Sequence, residues 1–396
     1  MMQVLSGGSS DVLNTAATEY MHFWNTEADS WNATQNARRQ IIAGNGRIKH
    51  LRVKADIAAG AGAYTFNVNI NAAASGLSVV LTNPATQGVD LTNVAVTVAG
   101  DVITFACVPS GSPTNTPKVT WCAVYEDTDR FEKCILIGGI NNAMGTLLNE
   151  NSSASGGKNW GTNLAGQINA NEVVAVPGTF IDHYVLLSAA PGVGTQYNLR
   201  HQINSTSAGV VVVIAGTNTS GNNTATGSTA VRGDAIDYVE TPTGTPTARQ
   251  AFWGVGYLTS NPHEFMLMGQ SSDAFVAATE YNRINATGHT WTATEADRRC
   301  LVPSCVIHGL IVKLGVAVTA GGITFTVFKN GVATALTTTI TSGTTGEDTT
   351  NVVYCDDFDE LSIEYSTASL TGGTNGAWAV ACRKAFYSLP MVGAGI

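Results

Sequence analysis

Apolar and polar residues alternate with a period of two along short stretches of this chain. Ile48-Lys49-His50-Leu51-Arg52-Val53, Tyr64 to Ile70, Val94 to Val98, Val102 to Cys107 and Val119 to Tyr125 all follow the pattern. Such alternation predicts strands with one buried face and one wet face, the arrangement of a two-sheet sandwich. Clusters of Pro, Gly and Asn separate the stretches. About eight short strands fall within each 130 residues or so, which predicts jelly-roll or related Greek-key sandwiches.

The pattern repeats. Ala16-Ala17-Thr18-Glu19-Tyr20 returns as Ala277-Ala278-Thr279-Glu280-Tyr281. Trp31-Asn32-Ala33-Thr34 followed by Arg38-Arg39 returns as Trp291-Thr292-Ala293-Thr294 followed by Arg298-Arg299, and a divergent copy between them carries Trp160. Gly100-Asp101, Gly233-Asp234 and Phe358-Asp359 recur downstream, and each copy closes on a segment bearing Trp121, Trp253 or Trp378. The reading is an all-β chain of three tandem jelly-roll-like modules, 1–132, 133–263 (the divergent copy) and 264–396. A module of that size can bury its own core without metal or disulfide.

Composition narrows the function classes. Of 396 residues only 12% are charged, with a net charge of −9, and Arg38-Arg39 is as long as any basic run. That argues against nucleic acid as the partner. No apolar run reaches membrane-span length, which argues against a membrane partner. The first residues, Met1-Met2-Gln3-Val4-Leu5-Ser6-Gly7-Gly8, carry no basic head or apolar stretch of a secretory leader. Seven cysteines without CxxC spacing suit thiols folded in a reducing host cytoplasm.

The order Pro191-Gly192-Val193-Gly194, aromatic strand, Asn330-Gly331 turn, Thr-rich strand, Gly233-Asp234, strand, Thr243-Gly244-Thr245-Pro246-Thr247 loop and Trp strand resembles a module of tailed-bacteriophage structural proteins. The likeness covers roughly the second two-thirds of each module. It implies a β-sandwich fold and a place on the virion rather than an activity. The third module departs from it, with Phe358 where the others have glycine.

Signatures of hydrolases, zinc proteases, P-loops and dinucleotide folds are absent from the sequence. No catalytic residue, cofactor or metal ligand is expected. His50, His183 and His308 stand at similar places in their modules, as polar residues at a sheet end or inter-module contact. Asp101, Asp234 and Asp359 read as turn residues whose carboxylates accept local amides. The acidic run Asp356 to Glu360 offers hard oxygen ligands in principle, without the spacing of a calcium loop. The candidate interface or ligand residues are Arg38, Arg39, Arg298, Arg299, Trp31, Trp160 and Trp291. The arginines, which recur with Glu19 and Glu280, read as ion pairs within or between modules, as subunit contacts or as an anion site. The three tryptophans, near loops, read as core or as glycan-stacking platforms, whereas Trp121, Trp253 and Trp378 read as core.

These observations together predict a non-enzymatic phage virion protein on the capsid surface, as a decoration, cement or head-fibre component. Its partners would be the major capsid protein or other virion proteins, with self-association on a symmetry axis also open. The alternative is a tail-fibre or adhesin chain binding host glycans. A ring of modules and a rod of modules are equally open at this stage. The apolar run Met391 to Ile396 reads as a docking segment.

Overall fold

The computed structural model describes residues 2–24, 30–162, 171–271, 273–372 and 375–384. The Met391 to Ile396 run therefore lies outside the described residues. Among the described residues the chain is built of antiparallel sheets, with two 3-10 turns at Gln35–Arg38 and Glu295–Arg298.

In the first part of the chain the strands are β1 (Met2–Gly8), β2 (Glu19–Met21), β3 (Gln40–Ile41), β4 (Gly46–Ala55), β5 (Ala63–Ile70), β6 (Ala73–Thr82), β7 (Gln87–Thr97), β8 (Val102–Ser110) and β9 (Val119–Asp127). One sheet has the order β1-β9-β4-β7. The other has β2-β8-β5-β6, with β3 also on β8. This is the strand order of a jelly roll, with β2 and β3 sharing one position. The same pair of orders recurs twice. Lys133–Gly139, Ala251–Thr259, Gly178–Leu187 and Ser220–Ala230 form the next four-stranded sheet, and Glu264–Ser271, Gly376–Lys384, Cys305–Val318 and Gly343–Cys355 the last. Each faces a partner sheet of its own.

Aromatic residues fasten the two sheets of each sandwich. Phe105 on β8 stacks on Trp121 of β9 at 4.8 Å, and Tyr238 stacks on Trp253 at 4.2 Å. Tight turns end the strands in the same way in all three copies. Asn71, Asn204 and Asn330 take positive φ, and the residue before each turn aspartate does likewise: Gly100 (94°), Gly233 (89°) and Phe358 (71°). Phe358 thus adopts the backbone its glycine counterparts use, a strained choice for a bulky side chain. Asp359, two-fold bonded to Asn330 and the Asp356 amide, holds that turn in place.

The three sandwiches close on one another. The short strand β3 packs against Lys133–Gly139 and Ala251–Thr259 of the second sandwich. Its counterpart Glu172–Val173 packs against Glu264–Ser271 and Gly376–Lys384 of the third, and Cys300–Val302 packs against β1 and β9 of the first. The contacts therefore run from first to second to third and back to first, which is a ring and not a rod. Val4, Leu5, Ile135, Leu136, Met266 and Leu267, from the first strand of each sandwich, belong to one continuous core. The middle sandwich has a second core of its own around Trp160, Tyr197, Tyr238 and Trp253.

Candidate functional site

The residues that recur in the sequence are brought together by this ring, though not in the ways their types invite. Trp31, Trp160 and Trp291 are 6%, 7% and 7% exposed. Their rings lie 5.9, 5.9 and 5.1 Å from those of Trp121, Trp253 and Trp378. Both tryptophan trios are core. The glycan-platform reading is corrected on that ground, because a stacking platform needs an open face and these indoles are covered.

The arginine pairs divide their labour. Arg38 and Arg298 are buried within their own sandwiches, where their guanidinium groups donate to the carbonyls of Ser30 and Thr290. Glu19 and Glu280 are spent elsewhere: Glu19 accepts the Asn14 amide, and Glu280 accepts the Tyr365 hydroxyl. The expected pairing of these glutamates with the arginines is therefore corrected. Arg39 and Arg299 face the seams. Arg39 lies 4.6 Å over the Phe252 ring of the second sandwich, a cation–π contact. Arg299 holds Glu295 at 2.6 Å and stands 3.7 Å from Glu360. Their main-chain carbonyls also press on the next sandwich. A Cβ at Gly8 would sit 2.7 Å from Arg299 O, and one at Gly139 would collide with Arg39 O. Glycine is required there because two backbones touch.

The seam between the third and first sandwiches is the most charged. Arg52 pairs with Asp357 at 2.8 Å, Lys54 with Glu360 at 2.8 Å and Lys118 with Asp297 at 2.6 Å. Thr120 donates to the same Glu360. A charged cleft of about 610 Å³ runs along this seam between Lys54, Lys118, Asp297, Arg299 and Glu360. In the Asp356 to Glu360 run the carboxylates of Asp357, Asp359 and Glu360 are thus engaged by cations and turns. Among the described residues no group of three or more His, Cys, Asp or Glu is placed to hold a metal ion. At the second-to-third seam Arg232 meets Glu347 at 3.0 Å and donates to the carbonyls of Ala175, Gly309 and Leu310. At the first-to-second seam the buried Lys133 bridges Asp182 at 2.8 Å and Asp127 at 3.6 Å.

The turn aspartates follow the sequence reading. Val98, Val231 and Asp356 amides donate to Asp101, Asp234 and Asp359, and Asn71, Asn204 and Asn330 donate to the other oxygens. The histidine trio does not. A bulge in the long strand puts His50, Asp182 and Gly309 at one left-handed position, so His183 and His308 fall on either side of it. His183 consequently points into the core and His308 meets Glu264 at 3.1 Å. They share no site.

The middle sandwich holds a polar core that sequence reasoning missed. His183 stands where Leu51 and Leu310 stand in the flanking sandwiches, and His201 where Val68 and Val327 stand. Both are fully buried. His183 Nδ1 donates to Val210 O at 2.9 Å and its Nε2 accepts from the Tyr238 hydroxyl at 3.0 Å. His201 Nε2 donates to Ala154 O, and its ring packs 5.3 Å from His183. Burial holds His183 down at about 4 and pushes His201 well below the usual imidazole range. Burial also raises Glu172 to about 7 and Asp237 to about 7, and burial with Glu150 nearby raises Glu240 to about 9. Ser155 donates its amide and hydroxyl to Glu172 on the short seam strand. Aligning the repeats by their turn asparagines would have exposed the His-for-Val exchange, whereas the His-for-Leu exchange is hidden by a one-residue offset that sets Tyr184 against the leucines.

No protein-family model matches the chain, and no curated protein is detectably similar to it. Among the described residues no helix is long and apolar enough to cross a membrane.

Proposed function

We propose that this chain is a non-enzymatic structural protein of a phage particle, seated on the capsid surface as a decoration, cement or head-fibre component. The observation that carries the reading is the cyclic seam: three like sandwiches in one chain, each clasping the next, with a common core. Such a body imitates a trimer and matches the threefold and quasi-threefold positions of an icosahedral shell. Three similar faces held rigidly in one chain would also act together, so weak contacts to the major capsid protein sum to firm attachment. The recurring side chains support the same reading, because tryptophans, arginines and aspartates are consumed by packing, seams and turns. The adhesin alternative loses its three candidate sugar platforms to the core. Counting this chain against the major shell protein in purified particles by quantitative mass spectrometry tests the proposal. A simple fraction of the shell copies is expected, a handful of copies would move the chain to a tail or vertex fibre, and absence would overturn the virion reading.

A further inference from the structure

The third sandwich exchanges one packing unit of its siblings for three cysteines. In the first sandwich Gly46 pairs with Thr97, and in the second Gly178 pairs with Ala230. Tyr125 and Tyr257, each paired with the residue two beyond that glycine, lay their rings 2.5 Å from where its Cβ would stand. In the third sandwich all three positions change together. Cys305 pairs with Cys355, and Cys382 takes the tyrosine's register position opposite Ile307. All three are buried free thiols.

The strands decide which two can be joined. A disulfide needs Cα atoms about 4.4–6.8 Å apart. Residues directly opposite in an antiparallel pair stand about 4.5–5.5 Å apart, and diagonal neighbours about 7–8 Å. Cys305 and Cys355 are directly opposite, and their thiols hydrogen-bond each other. Cys382 meets Cys305 only from the diagonal, because the direct partner of Cys305 on that strand is Lys384. Cys305 also stands on the wall of a cavity of about 310 Å³ at the third-to-first seam, which brings a small oxidant to one thiol of the pair.

We propose that Cys305 and Cys355 form a disulfide by exchange with a low-molecular-weight disulfide. The Cys305 sulfur displaces one half of the oxidant and forms a mixed disulfide. The Cys355 sulfur then attacks the Cys305 sulfur and displaces the other half. One S–S bond breaks and one forms; the protein thiols give up two electrons and two protons, and the oxidant leaves as two thiols. The bond acts on the seam. Ser304, just before Cys305, donates its amide to Asp357, just beyond Cys355, and Asp357 holds Arg52 of the first sandwich. Cys300–Val302, on the same segment as Ser304, packs on β1 and β9. The disulfide therefore ties together the two segments of the third sandwich that close the ring.

The full-length chain is treated with millimolar 2-hydroxyethyl disulfide, once folded and once while refolding from urea. It is then denatured, blocked with N-ethylmaleimide and digested without reductant. Mass spectrometry is expected to find one linkage, Cys305 to Cys355, with the other five of the seven thiols blocked. Cys382→Ala keeps the linkage, and Cys355→Ala loses it and leaves Cys305 carrying a single hydroxyethylthio group. Seven blocked thiols in both wild-type samples, or a linkage through Cys382, overturns the proposal; this arm needs no variant to fold. In urea the linked protein is expected to lose amide protection at Cys300–Val302 at least about tenfold more slowly than the reduced protein. Equal rates overturn the role at the seam.

Discussion

Aspartates show how one residue type is put to two uses. Asp101, Asp234 and Asp359 each accept a local amide and a cross-turn asparagine, so their carboxylates fix a turn without any cation. Each Asp→Ala change is expected to cost about 1–3 kcal/mol, the price of unpaired donors in a tight turn. Thermal melting with and without EDTA checks this: the losses persist, and a chelator-sensitive wild type would contradict the turn role. The Gly-Asp pairs made these residues legible in the sequence. Asp90 and Asp348 were not legible, because the amides they gather come partly from Ser78 and Thr337, on a neighbouring strand. Burial raises the Asp90 carboxyl, but donors on Asn93, Ser78 and Thr92 outweigh it and hold it down at about 2. A depressed folded value means that its stabilisation is present above the ordinary 3.8 and is lost as pH falls through about 2. In the middle sandwich the neutral Asn223 takes this place. Asp90→Asn is therefore expected to flatten the acid limb of the first sandwich's stability, measured by urea melts between pH 5 and 2.

At the scale of elements, the long strands were readable and the short ones were not. Period-two alternation marks β4 and β5 because each mainly buries one face, whereas β9, covered by the neighbouring sandwich as well as its own core, is buried on both. β3, Glu172–Val173 and Cys300–Val302 are two or three residues long, too short to carry a period, yet they are the elements that clasp the neighbouring sandwich. Replacing Gly139 by Val would drive a branched side chain into the Arg39 carbonyl and is expected to open the first-to-second seam. Hydrogen exchange should show it as lost protection in Gln40–Ile41 and Lys133–Gly139 before the rest of either sandwich. The middle sandwich has its own pH signature. Glu172, Asp237 and Glu240 have raised folded values, so their contribution is complete below about 4 and is lost as pH rises through 7 to 9. His183 and His201 are depressed, so theirs is present above 6.5 and lost as pH falls toward 4. The two sets oppose each other between those limits, and the three carboxyls prevail on the alkaline side. Gly192–Ile203 and Ala235–Thr243 should therefore lose exchange protection between pH 6 and pH 9, after correction for intrinsic rates. Ala63–Ile70 and Val102–Ser110, which carry none of these groups, should hold theirs.

At the scale of the whole molecule, the repeat told how many like units to expect along the chain but left their arrangement open. A ring and a rod of three sandwiches have the same periodicity, and the difference lies in whether the third unit meets the first. Arg52–Asp357, Lys54–Glu360, Lys118–Asp297 and the Ser6 hydroxyl on Leu301 O make that closure. Residues 179 to 306 apart in sequence pair there, and no local pattern announces such a contact. Among the described residues the closure is made without a covalent link, between a first strand that starts at Met2 and a last strand that ends at Lys384. If non-covalent contacts suffice at that seam, they should suffice at the others, where the same short strand packs on the same outer face. The linker between the first and second sandwiches, 128–132, is the place to ask, because Phe131 at its tip is 81% exposed. A specific protease site inserted between Arg130 and Phe131 should be cut readily. The cut protein is expected to elute at the size of the intact chain, to keep its circular dichroism, and to separate into two pieces only in denaturant. Lys133 and Gln3, which reach Asp127 and the Ile135 main chain across the cut, are the residues that would hold it. Dissociation of the cut chain at neutral pH would mean that the ring depends on its linkers, and the seams would then be surfaces in contact rather than a trimer-like interface.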